Sequence, residues 1–570
     1  MCGIAGIIGS NSQESVLDAM LKTQHHRGPD YTGKYVGKDV ALGHNRLSII
    51  DLSEEANQPF YSPDKRYILV FNGEIYNYLE LRTILETKHN FITQSDTEVL
   101  LAAYVTWGEE LLSKLNGMFS FTIWDQETAT LFAARDRFGV KPLYYVKNDN
   151  RFLFASEIKA LFAADVPKEP NEKVWASYFA YGSYGLPNET FWEDVQQLPG
   201  GHSLLLKDGN LDVQRWYNFE EAVKKQQADL TYDEVKITYK KLLEDSIKLR
   251  FRADVPVGFN VSGGLDSSAL LGLVNTIDRG KNINAYTFYT GDDRYDELPW
   301  VKALIANTKN PLHKVLLKGD DVPDLSIEMA FFQDEPYGGV PTIAYGEIFK
   351  EARKAGVLVL LDGQGMDEQW AGYDYYTKNN NAVIQGVKKS PFKTAVLDKE
   401  FLAKAEKPEY PKPFDSDLLN MQYRDLFYTK IPRALRFNDR ISMAASTELR
   451  EPFLDYRLVE FAFAQPKHYK IRKGVQKYLL RDLVSSYIPN EISFAPKRPL
   501  QTPQREWLGD ELRDWVNAQI KLLKNNSWFD QDELERELQN YFKGDRDSSF
   551  HIWQWLSLSF NDHTFCTFEK

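Results

Sequence analysis

An α/β protein of two domains is what the sequence predicts, and three observations carry it. The first third is dense in short strand patterns. Beyond a charged stretch near residue 230 the rhythm changes to strands alternating with helices. At 570 residues, 43% apolar and 14% aromatic, the chain is too long for one ordinary core and apolar enough to fill two.

In the first part, RYILVFNGEIYN (66–77) reads as a strand running into a turn at Asn72-Gly73, a dipeptide suited to positive φ. MFSFTIWD (118–125) alternates large apolar with small or polar residues, and ETATLFAARD returns as the second arm of a hairpin. RFLFASEIKALFAA (151–164) is a strand giving way to helical spacing, and 198–219 closes with a Gly-rich turn and a last hairpin. The polar, charged stretch 220–234 is expected to be a linker. After it come the buried strand VPVGFNV, helix SSALLGLVNTI, strand NAYTFYT, helix PWVKALIANT and strands HKVLL and VLVLLDG. That alternation indicates a parallel sheet with helices on both faces. From about 390 onward helices dominate.

A net charge of −12 argues against a nucleic-acid or membrane-surface role, which would need a basic face. No apolar run approaches the roughly 18–20 residues that cross a bilayer. The apolar start is too short for a signal peptide and lacks a basic flank. Two cysteines, Cys2 and Cys566, make no disulfide framework. A cytoplasmic, globular protein is expected.

Two constellations carry chemistry. Cys2 stands directly behind Met1, and removal of Met1 would leave a thiol and a free α-amino group on one residue. That is a nucleophile with a built-in base; a small apolar residue in a first strand is the plain alternative. Further on, VGFNVSGGLDSSALLGL (257–273) joins a buried strand to a helix through a Gly/Ser loop. Gly263 and Gly264 allow close backbone approach to an anion, the helix start offers free N–H groups, and Ser262, Ser267 and Ser268 add hydroxyl donors. Asp266 can hold a divalent cation against phosphates. A helix-capping turn is the plain alternative, and without a Gly-Lys-Ser/Thr ending this is not the usual P-loop. A second acidic turn, LLDGQGMDEQWAGY (360–373), follows another buried strand. Ligands of parallel sheets sit at the strands' carboxyl ends, so both loops belong on one rim, bringing Asp266 and Asp367 towards one Mg²⁺–phosphate. Asp296 and Glu297 leave the intervening strand on that rim too, with solvated loop carboxylates as the alternative.

Together these motifs resemble the glutamine-hydrolysing asparagine synthetase family over nearly the whole chain. MCGIAGI, HHRGPD (25–30), GHNRLSIID (43–51), FNGEIYN (71–77), SDTEVLL (95–101), RDRFGVKPLYY (135–145) and FASEIKAL (154–161) look like a class II glutamine amidotransferase domain. SGGLDSS, DGQGMDEQWAGY and DRISMAASTELREPFLDYRLVEFA (439–462) look like the family's ATP-pyrophosphatase domain. The resemblance implies an N-terminal nucleophile αββα sandwich over 1–219, a linker over 220–234 and a synthetase domain over 235–570.

It also implies roles. Cys2 attacks glutamine, Asn72 and Gly73 hold the oxyanion, Arg46 clamps the α-carboxylate, and Glu74 and Asp96 hold the α-ammonium. The HHRGPD histidines carry no chemistry. In the second domain ATP activates a carboxylate as an acyl-adenylate, and ammonia passing between the domains displaces AMP. Asn260, Thr290, Asp362 and Gly363 map to the adenine and ribose side, Asp266 and Asp367 to Mg²⁺, and Lys497, beside Arg498, to the adenylate and pyrophosphate. Aspartate is the expected acceptor, and 333–347 is expected to help build its pocket. One departure bears on this: the family's Ser-Gly-Glu-Gly is Asp362-Gly363-Gln364-Gly365 here, which removes a carboxylate from the acceptor side. Another carboxylate, such as a sugar uronic acid of a surface polysaccharide, is the alternative acceptor. A β-lactam-synthetase-like ligase would dispense with Cys2, Arg46, Asn72 and Asp96. The sequence leaves the oligomeric state open, a homodimer included.

Overall fold

The computed structural model describes residues 2–9, 13–148, 150–276, 282–377, 390–497 and 502–565; Cys566 and Arg498 lie outside them. The first domain is built on β1 (Cys2–Gly9), β2 (Tyr31–Val36), β3 (Val40–Arg46), β4 (Phe60–Tyr61), β5 (Tyr67–Ile75), β6 (Gly117–Asp125), β7 (Thr130–Arg135), β8 (Tyr144–Lys147), β9 (Arg151–Ala155), β10 (Gln196–Gln197), β11 (His202–Lys207) and β12 (Asn210–Arg215). They form two antiparallel sheets, ordered β10-β8-β9-β1-β3-β2 and β12-β11-β7-β6-β5-β4.

Strand alternation dictates the layering. Ile4, Val40 and Leu42 of one sheet meet Ile68, Val70, Leu131 and Ala133 of the other in the inner core. The intervening residues point outward. Ala5, Ile7 and Ala41 pack on Leu17, Met20 and Leu21 of the helix Glu14–Thr23. On the other side Leu69, Phe71, Phe119, Phe121 and Phe132 pack on the helices Tyr78–Leu85 and Asp96–Trp107. The result is the expected αββα sandwich.

One expectation fails locally. Asn72 and Gly73 make no turn; β5 continues through them to Ile75, with Asn72 opposite Ser120 and Gly73 opposite Phe119. Gly73 is required for closeness, since a Cβ there would lie 2.1 Å from the Met118 carbonyl oxygen.

Within 220–234, the helix Phe219–Lys225 buries Phe219 and Val223 among Tyr423, Leu454 and Phe463, and the next helix begins at Tyr232. The second domain carries β13 (Val257–Asn260), β14 (Ala285–Tyr289), β15 (Leu312–Leu316), β16 (Val359–Leu361) and β17 (Glu448–Arg450), all parallel, in the order β15-β14-β13-β16-β17. Phe259, Ala285, Val359 and Leu361 face one helical layer, while Tyr286, Leu360 and Leu449 face the other. The chain order reverses at β13, so the crevice at the carboxyl ends of β13 and β16 is where a ligand belongs. Among the described residues no helix is long and apolar enough to cross a membrane.

Candidate active site

Cys2 opens β1 directly opposite Arg46 of β3 and is 7% exposed. Its backbone N–H donates to Asn72 Oδ1 at 3.0 Å. That bond fixes the amide, and Asn72 Nδ2, fully buried, has no hydrogen-bond partner among the described residues. Burial pushes the Cys2 thiol up, opposed by a hydrogen bond from the Leu47 backbone and by the Arg46 charge. His44, within the GHNR motif, is buried, held neutral at about 3, and spends Nε2 on the Phe71 carbonyl at 3.1 Å. It is a structural histidine.

Arg46 engages its own loop with both terminal nitrogens: Nη1 donates to Ser53 O at 2.7 Å and Asn57 Oδ1 at 2.8 Å, and Nη2 donates to the Asp51 carbonyl. Asp96 is the first residue of its helix and accepts the Ile75 N–H at 2.9 Å; burial raises its carboxyl to about 6. Burial, then the charges of Glu448 and Asp96, raise Glu74 well above the usual range. Cys2, Arg46, Asn72, Gly73, Glu74 and Asp96 thus converge around the ends of β1, β3 and β5.

The second constellation assembles on the predicted rim. Gly263 has φ +71°, with Trp300 Cβ 2.9 Å from where its own Cβ would lie, so the loop turns tightly against its neighbour. Ser262 Oγ lies 3.1 Å from Ser267 Oγ, and Ser268 Oγ is buried without a partner among the described residues. A Cβ on Gly363 would sit 3.0 Å from Ser267 N, so the loops after β13 and β16 touch. Asn260 and Asp362 are buried beneath Tyr345, whose hydroxyl is pushed up by burial and by the Asp362 charge. Thr290 donates its N–H to Asp296 at 2.7 Å and its hydroxyl to the same oxygen at 2.9 Å. The other Asp296 oxygen accepts Gly291 N–H at 2.8 Å, so Asp296 shapes its own loop.

Between Asp266 and Asp367 stands Lys477, with Nζ 2.6 Å from each carboxylate. Lys497 pairs with the other Asp367 oxygen and lies 4.3 Å from the centre of the Tyr373 ring. Against burial, these two ammonium groups hold Asp367 far below the usual carboxylate range. Lys477 adopts φ 53°, ψ 35°, a left-handed conformation that costs a non-glycine residue about 1–3 kcal/mol.

Residues 1–217 match a family model described as a glutamine amidotransferase domain, and residues 238–563 one described as asparagine synthase. The chain belongs to the asparagine synthase family. It is an enzyme of the glutamine-hydrolysing asparagine synthetase type. Asparagine synthetase [glutamine-hydrolyzing] 1 of Bacillus subtilis (strain 168) is 30% identical, the match covering 97% of this chain and 95% of that one. Putative asparagine synthetase [glutamine-hydrolyzing] 2 of Methanocaldococcus jannaschii is 36% identical, covering 65% of this chain and 76% of the relative. Among solved structures, glutamine phosphoribosylpyrophosphate amidotransferase from B. subtilis shows a weak overall likeness, at 17% identity and TM-score 0.30, over 63% of this chain and 80% of that one.

In this asparagine synthase family chain the roles of three groups at the sites are not legible locally, although Arg27 stands within HHRGPD and Glu448 and Arg450 within the 439–462 motif. Lys477 sits in GVQKYLLRDL, which in the sequence is one lysine among many; its only sign is a charge heading an apolar helix. Arg27, fully buried, donates Nε to the Cys2 carbonyl at 3.0 Å and Nη1 to Glu157 at 2.9 Å and to Asp439 of the second domain at 2.8 Å. Arg450 on β17 reaches the first domain, its Nη2 lying 3.5 Å from Glu74 Oε2, while Glu448, paired with Arg450 Nε at 2.5 Å, is held at about 2 against burial. These long-range pairs leave no local signature.

Proposed function

We propose that the enzyme hydrolyses glutamine at Cys2 and uses the ammonia to amidate a carboxylate activated by ATP as an acyl-adenylate, releasing glutamate, AMP and pyrophosphate. The observation that carries this reading is the Asn72 amide: Oδ1 is tied to Cys2, and Nδ2 remains as a buried donor free for an oxyanion. With Met1 removed, the Cys2 α-amino group, titrating near pH 8, takes the thiol proton directly or through one water. The thiolate attacks the amide carbon, and Asn72 Nδ2 and the Gly73 N–H stabilise the oxyanion. Ammonia departs with the transferred proton, and water hydrolyses the thioester. Arg46 clamps the substrate α-carboxylate with donors it does not spend on its own loop; Glu74 and Asp96 hold the α-ammonium.

At the second site Ser262, Gly263, Gly264, Ser267 and Ser268 cradle the phosphates, with Asn260, Thr290, Asp362 and Gly363 on the nucleoside side. Asp266 and Asp367 fit a Mg²⁺ requirement, because both already converge on one cation, the Lys477 ammonium. Bound there, Mg²⁺ would neutralise phosphate charge. Lys477 is the more buried of the two lysines, at 5% against 21% side-chain exposure, and we assign it with Lys497 to the charge that develops on pyrophosphate. A cavity of about 20 Å³ at the seam, lined by Tyr76, Met118 and Val140 on one side and Arg250, Glu451 and Leu454 on the other, supports passage of a molecule the size of ammonia.

We divide the chain into a glutaminase domain (1–219), a connector (220–234) and a synthetase domain (235–570), acting in the cytoplasm. Aspartate is the acceptor that the relatives' names supply. At the departure from the family pattern, the Gln364 side chain bonds Asp362, so position 364 offers no charge to a substrate ammonium.

Paired variants test the two-site reading. Cys2→Ala should abolish glutamine-dependent synthesis and retain synthesis from ammonia; Asp266→Ala should lose AMP and pyrophosphate formation and retain glutamate release. A folded Cys2→Ala protein that ammonia cannot rescue, or products of ADP and phosphate, would refute it.

A further inference from the structure

β16 and β17 run parallel with Leu361 opposite Arg450, and the Asp362 N–H continues the ladder by donating to the Arg450 carbonyl at 3.0 Å. The next residues in register, Asp362 and Glu451, therefore leave the two strands side by side on the carboxyl rim. Asp362 belongs to the synthetase loop. Glu451, only 4% exposed, takes no part in glutamine, phosphate or nucleoside binding.

A buried carboxyl group without partners calls for an explanation. Both Glu451 oxygens, and Asn438 Nδ2 beside them, are buried with no closed hydrogen bond among the described residues. The Gln364 backbone and the Asn438 amide face the carboxylate and favour its charge, as does buried Lys141, reaching across from the first domain. Burial outweighs them, with the charge of Asp362 added to it, and the Glu451 carboxyl is pushed well above the usual range. Tyr345 is a further titratable group that feels its charge.

Glu451 also lines the cavity of about 20 Å³ at the seam, whose size suits one molecule of water or ammonia. The other charges of that wall are committed. Asp136 accepts the N–H groups of Phe119, Phe138, Val140 and Lys141. Arg137 donates to the Leu115 carbonyl at 2.6 Å, and Arg250 pairs with Asp455 at 3.1 Å. Among the described residues, Glu451 alone brings an uncommitted charge to the cavity. It stands between the seam and the rim loop of the second domain.

That loop lacks a group that amidation requires. Ammonia attacking an acyl carbon becomes positively charged as the C–N bond forms, and it must give up a proton for the amide to persist. The family's loop carries a glutamate where this chain has Gln364, and a carboxamide takes up no proton near neutrality. The register of β16 and β17 sets another carboxyl group against the same loop.

We propose that Glu451 is the general base of the amide-forming step, standing at the end of the seam cavity and taking one proton from ammonia as it attacks. The proposal rests on the two-site reading above. The nitrogen lone pair forms the C–N bond, a proton passes to the Glu451 carboxylate, and the C–O bond to AMP breaks with its electron pair leaving on the phosphate. The products are a neutral primary amide, AMP and a protonated Glu451, which gives its proton to solvent once the site opens. A base works best when it titrates near the working pH, and burial moves Glu451 in that direction from the ordinary carboxylate value.

The test uses the full-length enzyme with ATP, aspartate and ammonium chloride in place of glutamine, and reads two steps separately. Aspartate-dependent exchange of labelled pyrophosphate into ATP reports adenylate formation, and asparagine reports amide formation. Glu451→Gln, nearly isosteric, should keep the exchange and lower asparagine formation at saturating ammonia at least about a hundredfold, the range of a lost general base. Glu451→Asp should recover part of it. Gln364→Glu in the Glu451→Gln background should recover more, because it returns a carboxylate to the same loop. Melting curves check the fold of every variant. Undiminished asparagine formation by Glu451→Gln would overturn the assignment. So would an equal loss of exchange and amide formation, which would place Glu451 at the acceptor or the nucleotide instead. A folded double variant that retains exchange and stays as slow as Glu451→Gln would overturn the shared role of positions 364 and 451. Absence of exchange in the wild type would overturn the two-site reading beneath the proposal.

Discussion

Asn72→Ala should lower kcat for glutamine hydrolysis by about 10²–10³ and leave KM for glutamine nearly unchanged. The side chain is fully buried, accepts the Cys2 N–H at 3.0 Å and keeps Nδ2 unpaired. An oxyanion exists only at the tetrahedral stage, so losing its donor acts on kcat rather than on substrate binding. One such donor is worth about 3–4 kcal/mol, and at 1.36 kcal/mol per decade this gives the expected range. The backbone tolerates the change, because alanine keeps the ladder in which Asn72 faces Ser120. Leaving the Cys2 nitrogen without its acceptor costs about 1–3 kcal/mol of stability, which a melting curve would register. The assay follows glutamate release beside ammonia-dependent AMP release, the latter confirming that the second site is folded. A fall of less than about fivefold in glutamate release, or an equal fall in both activities, would refute the assignment of Asn72 to the oxyanion.

Two further outcomes follow from the same geometry. Gly372→Ala would place a Cβ 1.9 Å from Asp367 Oδ1 and 2.2 Å from Lys477 Cε, so AMP formation should be lost and the melting temperature lowered, with glutamate release retained; unchanged AMP formation would show that the Asp367–Lys477 pair is dispensable. Because burial raises Asp96 to about 6, and only its ionised form can hold an ammonium, KM for glutamine should rise as pH falls through about 6. An ordinary aspartate would keep KM flat to about pH 4. A flat profile down to about pH 5 would remove Asp96 from the glutamine site.

Where side-chain alternation or a Gly/Ser loop sets structure locally, the sequence was readable. β6, β7, β9, β11 and the strands β13 to β16 lie where the apolar patterns put them, and Asp266 and Asp367 meet on one rim because parallel strands deliver their loops to one end. Asn72-Gly73 misled because the dipeptide's turn preference is local, while the reason for a glycine there is the carbonyl of Met118 on the neighbouring strand. β17 was invisible for a similar reason. Glu448-Leu449-Arg450 has the composition of a surface loop, and the ladder on β16, the Glu448–Arg450 pair and the approach of Glu74 make it a buried strand. Lys477 and Arg27 belong to the same class, since their meaning lies in partners 211 and 412 positions away.

The seam joining the two halves carries matched charges between its apolar clusters. Arg27 meets Asp439 at 2.8 Å, Lys159 meets Asp334 at 2.9 Å, and the Arg440 guanidinium donates to the Ser156 carbonyl at 2.9 Å, all out of reach of water. Such pairs contribute little adhesion, because drawing both ions from water offsets most of their attraction. What they do penalise is a wrong fit: a buried charge deprived of its partner costs about 3–5 kcal/mol. The seam therefore works like the wards of a lock. A docking rotated or slid by a few ångströms strands several ions at once, so one alignment alone is tolerated. For the ammonia transfer proposed above such a device would matter, since that cargo carries no handle by which a receiving site could steer it and would have to be aimed by the walls around it.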